Sequence, residues 1–137
     1  MSTTDSEPPE HKSLRIAVVG PCAAGKSTVA EGLRAAGYEV HQPAQEHSYV
    51  PEMWQRLTKP DLLIYLDVSY EQARERRRHN IDRQQLETQN QRLAHARRHC
   101  HFYLDTSGLT AAQVEERVLS FIEIGDRDRD RGLGAGD

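Results

Sequence analysis

The segment from Gly20 to Thr28, GPCAAGKST, combines glycine, lysine and hydroxyl residues at a spacing suited to binding phosphate. It fits the pattern G-x-x-x-x-G-K-[ST] through Gly20, Gly25, Lys26 and Ser27. The glycines let the backbone curl so that successive N–H groups point at phosphate oxygens, and a helix beginning there adds the positive end of its dipole. The segment therefore predicts a phosphate-binding loop between a strand and a helix.

Individual positions of this loop have distinct predicted contacts. We expect the Lys26 ammonium to reach the β- and γ-phosphates of a nucleotide, the Ser27 hydroxyl to bind Mg²⁺, and Thr28 to lie near the α-phosphate. The backbone of the other loop positions is expected to surround the phosphates, at Gly20, Ala23, Ala24 and Gly25. The predicted ligand is therefore a nucleotide with Mg²⁺.

Strands and helices alternate along the chain and place this loop at the end of a strand. Apolar runs predict strands at 14–20, 38–42, 61–68 and 101–107. Helical spacing and stop signals predict helices over 26–36, 50–58 and 86–98, and two more that open at the capping-box residues Ser69 and Thr110. The alternation predicts a three-layer α/β sandwich with a short parallel sheet of four or five strands. In such a sheet the functional loops lie at the carboxyl ends of the strands.

Composition excludes several classes of protein. The chain has 137 residues and a formal net charge of -3, which gives no reason to expect nucleic-acid binding. Cys22 and Cys100 stand alone, which argues against a disulfide framework, and no apolar segment approaches the ~20 residues needed to span a bilayer. We predict a cytoplasmic protein with one domain at 14–124, flanked by disordered polar ends at 1–13 and 125–137.

Three stretches resemble the P-loop NTPases, and within them the small kinase-like branch that includes shikimate, adenylate, thymidylate and gluconate kinases. The stretch GPCAAGKST resembles their Walker A loop, PDLLIYLDVSYEQARERR the strand that leads into an arginine-bearing lid, and LDTSGLTAAQVEERV the last strand, base-contacting loop and final helix. The resemblance implies P-loop NTPase topology and transfer of a phosphoryl group from Mg-ATP to a small acceptor. Only 42–60 is available for the acceptor-binding segment that these kinases insert, so the acceptor is unidentified.

Two acidic residues are candidates for supporting the metal ion or aligning the acceptor hydroxyl. Asp67 ends the apolar run LLIYLD. An acid at the end of a buried strand often binds Mg²⁺ through a water molecule, and Asp67 has that position. Glu46 follows the second strand, where the resemblance implies an acid facing Mg²⁺ and the acceptor. The competing interpretations are a capping or surface role for Asp67 and a solvated loop position for Glu46.

Arginines follow the third strand, at Arg74, Arg76, Arg77, Arg78 and Arg83. Arg74, Arg77 and Arg78 share one helix face because they are three and four residues apart. The resemblance implies that this face closes over the nucleotide and neutralises charge on the transferred group, with Arg77 and Arg78 as the catalytic candidates. The competing interpretation is a solvated basic face balanced by Glu71 and Glu75.

The loop after the fourth strand is the candidate for contacting the base. The resemblance implies contacts from Thr106, Ser107 and Gly108, although these residues are equally suited to a turn into the helix that Thr110 caps. The letters TKPD at 58–61 fit a guanine-reading box but precede a strand, so we predict ATP and regard GTP as the lesser candidate.

Histidines and a cysteine cluster near the fourth strand, at His95, His99, Cys100 and His101. Two histidines four residues apart on a helix are able to bind Zn²⁺. No second ligand pair accompanies them and arginines lie nearby, so we do not predict a zinc site there.

Two functions are consistent with these features. The first is a compact kinase-like enzyme in which Lys26 and the lid arginines stabilise the transferred phosphoryl group while Glu46 or Asp67 aligns the metal or the hydroxyl. The second is a nucleotide-dependent switch or slow NTPase that regulates a partner protein and needs no acceptor pocket.

Overall fold

Four parallel strands form the central sheet of the computed structural model, which describes residues 14–135, with side chains described to Gly125. The strands are β1 (Arg15–Val19), β2 (Glu39–His41), β3 (Leu62–Asp67) and β4 (Phe102–Asp105). Their order across the sheet is β2-β1-β3-β4. All three pairings are parallel, with β1 hydrogen-bonded to β2 on one side and to β3 on the other. The predicted parallel sheet is confirmed, with four strands.

Helices connect the strands and cover both faces of the sheet. They are α1 (Lys26–Ala35), α2 (Met53–Thr58), α3 (Tyr70–Arg76), α4 (Arg83–Arg92), α5 (Ala94–His99) and α6 (Ala111–Ala135). A short 3-10 turn, Gln45–His47, follows β2. Within the described part of the chain, no helix is both long and apolar enough to cross a membrane.

The strand side chains alternate between two separate apolar clusters, one on each face of the sheet. On one face Ile16, Val18 and Ile64 pack with residues of α1 and α6, among them Leu33 and Val118. The residues between them along the strands face the other cluster, which is formed by Ala17, Val19, Trp54, Leu63, Tyr65, Leu93 and Ala96. This alternation is the period of two expected of a strand that is buried on both faces. The architecture is therefore the predicted three-layer α/β sandwich.

The predicted caps hold two of the helices in place. Ser69 Oγ accepts a hydrogen bond from Gln72 N at 3.2 Å, which opens α3. At α6, Thr110 Oγ1 accepts from Gln113 N while Gln113 Oε1 accepts from Thr110 N, so the capping box is complete. These bonds satisfy N–H groups that the first turn of a helix leaves without partners.

Two predicted helices differ from those of the structure. The helix expected over 86–98 is two helices, α4 and α5, because the chain turns at Leu93, whose buried side chain joins the second apolar cluster while Leu86 joins the first. The helix expected over 50–58 begins only at Met53.

Of the two chain ends that the sequence predicts to be disordered, the structure describes part of one. Helix α6 continues to Ala135, so its backbone is helical over most of the segment 125–137 that the sequence predicts to be disordered. The predicted disorder of 1–13 lies outside the described residues.

Glycine is required at Gly20 because the sheet leaves no space for a side chain. A Cβ atom built there would lie 2.0 Å from the backbone oxygen of Leu66, whereas a Cβ at Gly25 would meet nothing within 4 Å. We expect Gly20→Ala to lower the free energy of unfolding by about 3 kcal/mol or more, since the backbone of β3 must move. The matched control Gly25→Ala should cost only the roughly 1–2 kcal/mol of its left-handed φ. Urea denaturation measures both, and equal losses would contradict this account.

Candidate functional site

The predicted phosphate-binding loop leaves β1 at Gly20 and enters α1 at Lys26. Ala23 and Gly25 have φ angles of 73° and 94°, so the loop curls back before the helix begins. Among the described residues, no side chain caps this end of α1, and its first turn contains no acid. The free N–H groups and the dipole of a ten-residue helix therefore face the loop, which suits an anion.

Lys26 folds back over the loop and forms an ion pair. Its Nζ donates to the backbone oxygens of Gly20 and Pro21 at 2.8 and 3.1 Å. The same atom lies 3.2 Å from Glu46 Oε2, and the two side chains are only 12% and 8% exposed. A buried pair of this kind holds each charge in place, since either charge alone would be costly at this depth.

Glu46 is held beside Lys26 by the 3-10 turn after β2. Its neighbour Gln45 is fully buried and anchors the turn, donating to the Val50 oxygen and accepting from Trp54 N, both at 2.8 Å. Glu46 Oε1 is buried and has no hydrogen-bond partner in the described part of the chain. The interpretation of Glu46 as a solvated loop residue is therefore wrong, and it remains a candidate for metal or acceptor contact.

Hydroxyl groups continue the polar lining of the loop along α1. Ser27 Oγ donates to Gln42 Oε1 at 3.3 Å, at the point where β2 has ended. Thr28 lies one residue further and lines a neighbouring cavity. Both hydroxyl groups that are predicted to contact the ligand therefore lie at the start of α1.

Asp67 is engaged with a different set of side chains. Its Oδ2 accepts from Tyr103 Oη at 2.5 Å and lies 3.8 Å from Arg97 Nη1, while Oδ1 accepts from Val68 N at 2.9 Å. Burial is the main cause that raises the pKa of Tyr103 to about 12, and the hydrogen bond to Asp67 is the next. Burial also raises the pKa of Tyr65. The structure thus gives Asp67 partners on β4 and α5, whereas Glu46 contacts Lys26.

The arginine that joins the loop to the rest of the site is Arg76. Its Nη1 donates to Ala23 O at 2.8 Å and to Thr106 Oγ1 at 3.0 Å, and Nη2 donates to Thr106 O at 2.7 Å. Of the two arginines predicted to be catalytic, Arg77 lines the cavity beside the loop. Arg78 follows the end of α3 with φ at 52° and is not among that cavity's lining residues.

A cavity of about 320 Å³ adjoins the phosphate-binding loop. Its lining includes Ala23, Ala24 and Gly25 of the loop, and Arg76 and Arg77 at the end of α3. Its apolar lining comes from Val29, Leu109, Ala111 and Val114. A cavity with an apolar floor and convergent polar groups is the usual form of a small-molecule site.

The loop after β4 contributes to this cavity through fewer residues than expected. Thr106 is buried and lines it, and its Oγ1 bonds to Ala24 O and Asp67 O at 3.1 and 3.0 Å. Ser107 instead accepts from Ser69 N at 2.8 Å, which ties the loop to α3. Gly108 has φ at 79° and forms the turn. Neither Ser107 nor Gly108 is among the lining residues of the cavity.

A second group of residues, on α4, also contacts the loop and was not predicted from the sequence. Gln89 Oε1 accepts from Cys22 N at 2.8 Å and Gln89 Nε2 donates to Cys22 Sγ at 3.3 Å, so α4 holds the phosphate-binding loop directly. A second cavity of about 380 Å³ lies here, and the residues that line it are all of polar or charged type: His47, Asp82, Gln84, Gln85, Thr88, Gln89 and Arg92. The sparse apolar positions of α4 were the available signal, since such a helix presents polar side chains on several faces.

The histidines near β4 have structural contacts. Trp54 Nε1 donates to His95 Nδ1 at 3.2 Å, the rings of His95 and His99 stack at 4.3 Å, and Leu63 N donates to His101 Nδ1 at 2.9 Å. In the described part of the chain these residues do not form a group of three or more metal-type ligands.

The contact between Asp67 and Tyr103 gives a pH-dependent test of the role of Asp67. Because the raised pKa favours the neutral phenol of Tyr103, its contribution to stability is complete below pH about 10 and is lost as the pH rises through about 12. Asp67→Asn should lower the pKa of Tyr103 part of the way to its ordinary value, leaving the effect of burial. Absorbance titration of tyrosinate, with Tyr103→Phe to identify the band, measures this. An unchanged pKa in Asp67→Asn would contradict the assignment.

Comparison with known proteins identifies a fold and no family. No protein-family model matches the chain, and no curated protein matches it. The chain is similar to the crystal structure of an uncharacterized protein from Eubacterium ventriosum, with 10% sequence identity and a TM-score of 0.50. The match covers 80% of this chain and 98% of that one. At this identity the likeness shows an α/β fold with a parallel sheet, which is the architecture described above.

Proposed function

We propose that this chain is a P-loop NTPase of kinase-like type that binds Mg-ATP and transfers its γ-phosphoryl group to a small acceptor. The observation that carries the proposal is the buried ion pair between Lys26 and Glu46, at the uncapped start of α1. An ammonium, a helix N-terminus and a curled glycine loop converge there, and each of them favours phosphate oxygens. On binding, the Lys26 ammonium exchanges the loop oxygens of Gly20 and Pro21 for phosphate oxygens.

The cavity beside the loop supports a nucleotide over a simpler phosphate ester. Thr28, Ala24 and Gly25 connect the phosphate-binding loop to the cavity, so one extended ligand is able to occupy both. The apolar side chains of Val29 and Leu109 suit a flat base. We therefore propose that the base lies in this cavity and that Arg76 holds its wall in position.

The residues around Lys26 also fit a magnesium ion. Mg²⁺ prefers oxygen ligands, and the Ser27 hydroxyl and the Glu46 carboxylate provide oxygens on the two sides of the loop. Glu46 Oε1, buried and without a partner among the described residues, is an available acceptor for a metal-bound water or a substrate hydroxyl. When bound, Mg²⁺ would neutralise charge on the phosphate oxygens.

In the proposed transfer each side chain has one task. Lys26 stabilises negative charge on the transferred phosphoryl group. Arg77 lines the cavity proposed for the base, so its positive charge faces the nucleotide there. Glu46 orients the acceptor hydroxyl and accepts its proton as the oxygen bonds to the γ-phosphorus, while the bond to the bridging β–γ oxygen breaks and ADP leaves. Arg76 acts through position alone, because its donors are bonded to Ala23 and Thr106.

The polar cavity on α4 is the proposed acceptor site. It adjoins the phosphate-binding loop through Gln89, which bonds to Cys22, and reaches the turn of Glu46 through His47 and Arg92. Its amide, hydroxyl and charged groups suit a small molecule that carries several hydroxyls. In this proposal α4 replaces the missing segment between β2 and β3.

The alternative function, a nucleotide switch or slow NTPase that regulates a partner protein, also has a specific observation in its favour. Tyr49, Val50 and Leu57 are 86%, 40% and 70% exposed, and they lie in the segment that follows Glu46. Three exposed apolar side chains within nine residues of sequence are a candidate contact surface for a partner protein. Both functions place the protein in the cytoplasm, where ATP is abundant and the described cysteines, both free thiols, stay reduced.

The nucleotide proposal is tested at Lys26. We expect Lys26→Met to weaken Mg-ATP binding by about 100-fold or more, because it removes a charge-assisted contact worth roughly 3 kcal/mol to the phosphates. The control Lys59→Met removes the lysine that ends α2, and it should bind as the unaltered protein does. Isothermal titration calorimetry measures the affinities, and thermal melts check the fold. Tight Mg-ATP binding by Lys26→Met would contradict the proposed nucleotide site.

The choice between enzyme and switch, and between the two acids, is tested by acceptor-dependent ATP consumption. A screen of hydroxylated metabolites should reveal an acceptor that accelerates consumption, and Glu46→Gln should reduce that rate by about 10²-fold or more. Asp67→Asn should retain most of it, since Asp67 bonds to Tyr103. Slow hydrolysis with every acceptor, together with ATP-dependent binding of a partner protein, would favour the switch.

A further inference from the structure

We propose that Cys22, Glu46 and His47 form a binding site for a borderline-soft divalent metal ion, with Zn²⁺ as the expected ion. One ligand atom from each residue lies within 4.8 Å of the other two. Cys22 Sγ is 4.0 Å from His47 Nε2, and that nitrogen is 3.8 Å from Glu46 Oε2. The set arises from two distant parts of the chain, the phosphate-binding loop and the turn after β2.

The ligand chemistry selects the metal. Sulfur, imidazole nitrogen and carboxylate oxygen together favour Zn²⁺ or Co²⁺ over Mg²⁺ and Ca²⁺, which prefer oxygen alone. Tetrahedral Zn²⁺ with ordinary bond lengths places its ligands roughly 3.4–3.6 Å apart, so the two gaps to His47 must close by about 0.4 Å and the Cys22–Glu46 gap by up to about 1.2 Å. The His47 side chain is 59% exposed, which leaves it room to move, and the third gap requires a movement of the Cys22 or Glu46 side chain. Three protein ligands leave a fourth position for water.

Two further contacts support a metal site at this position. Glu46 Oε1 is buried and has no hydrogen-bond partner among the described residues. A buried carboxylate oxygen without a partner is a position where a bound ion or other ligand is expected. On the other side, Gln89 bonds to both Cys22 N and Cys22 Sγ, which orients the sulfur. Partners that orient a ligand in this way are typical of metal sites.

Lys26 competes with the metal ion for the Glu46 carboxylate. Its ammonium lies 3.2 Å from Glu46 Oε2 and would repel a dication bound to the same carboxylate. Lys26 keeps two backbone acceptors, Gly20 O and Pro21 O, when it releases Glu46. Metal binding and the Lys26–Glu46 ion pair are therefore alternatives, and removal of the lysine charge should favour the metal.

The test uses untagged full-length protein without nucleotide, with Co²⁺ as a spectroscopic probe and Zn²⁺ in competition with a chromogenic chelator. One Co²⁺ per chain should produce a thiolate-to-cobalt charge-transfer band in the near ultraviolet. Cys22→Ser should remove the band, and His47→Gln should weaken Zn²⁺ binding by about tenfold or more. The controls Cys100→Ser and His41→Gln, which change the other described cysteine and an exposed histidine, should have no effect.

Substitution of Lys26 gives a readout that distinguishes this geometry from binding elsewhere. Lys26→Met should tighten Zn²⁺ binding by about tenfold, although the same variant is expected to lose Mg-ATP. Absence of the charge-transfer band, its persistence in Cys22→Ser, or unchanged Zn²⁺ affinity in Lys26→Met would each overturn the proposal. Because these assays contain no nucleotide, their failure leaves the proposed ATP site untouched, and failure of ATP binding leaves the metal site untouched.

Discussion

The candidate site depends on the parallel pairing of β1 with both of its neighbours. Parallel strands end at the same edge of a sheet, so the segments that follow all four strands meet there. The chain can leave β1 close against β3 only because Gly20 has no side chain to strike the Leu66 oxygen. This passage sets the position of the phosphate-binding loop, and through it the positions of Lys26 and the start of α1.

Electrostatics then determine how the loop and the turn after β2 are joined. Lys26 and Glu46 are both nearly buried, so each charge lowers the cost of burying the other. The pair leaves Glu46 Oε1 without a hydrogen bond in the described part of the chain, so one anionic oxygen is available for a ligand. The proposed magnesium-nucleotide site and the proposed zinc site both use the Glu46 carboxylate. The nucleotide complex and the zinc ion would therefore compete for Glu46.

The predictable parts of the molecule are those set by local chemistry. Apolar runs of four to eight residues and the caps at Ser69 and Thr110 identified all four strands and the starts of two helices, because hydrogen bonds and side-chain periodicity act over short distances. The break at Leu93 was not predictable, since the turn follows from which of two apolar clusters each leucine joins. Membership of the P-loop NTPases, although the pattern at 20–28 indicates it, stays a prediction.

The sequence by itself determined that a strand, a curled glycine loop with a lysine, and a helix follow one another, because this arrangement is encoded within a single short segment. Only the tertiary structure decided which groups the two acids contact. Glu46 packs beside Lys26 and Asp67 bonds to Tyr103 because strand order and side-chain face, which act across the sheet, set which groups meet. The same holds for Arg76 and Gln89, whose contacts with the loop span 53 and 67 residues of chain and therefore leave no local pattern.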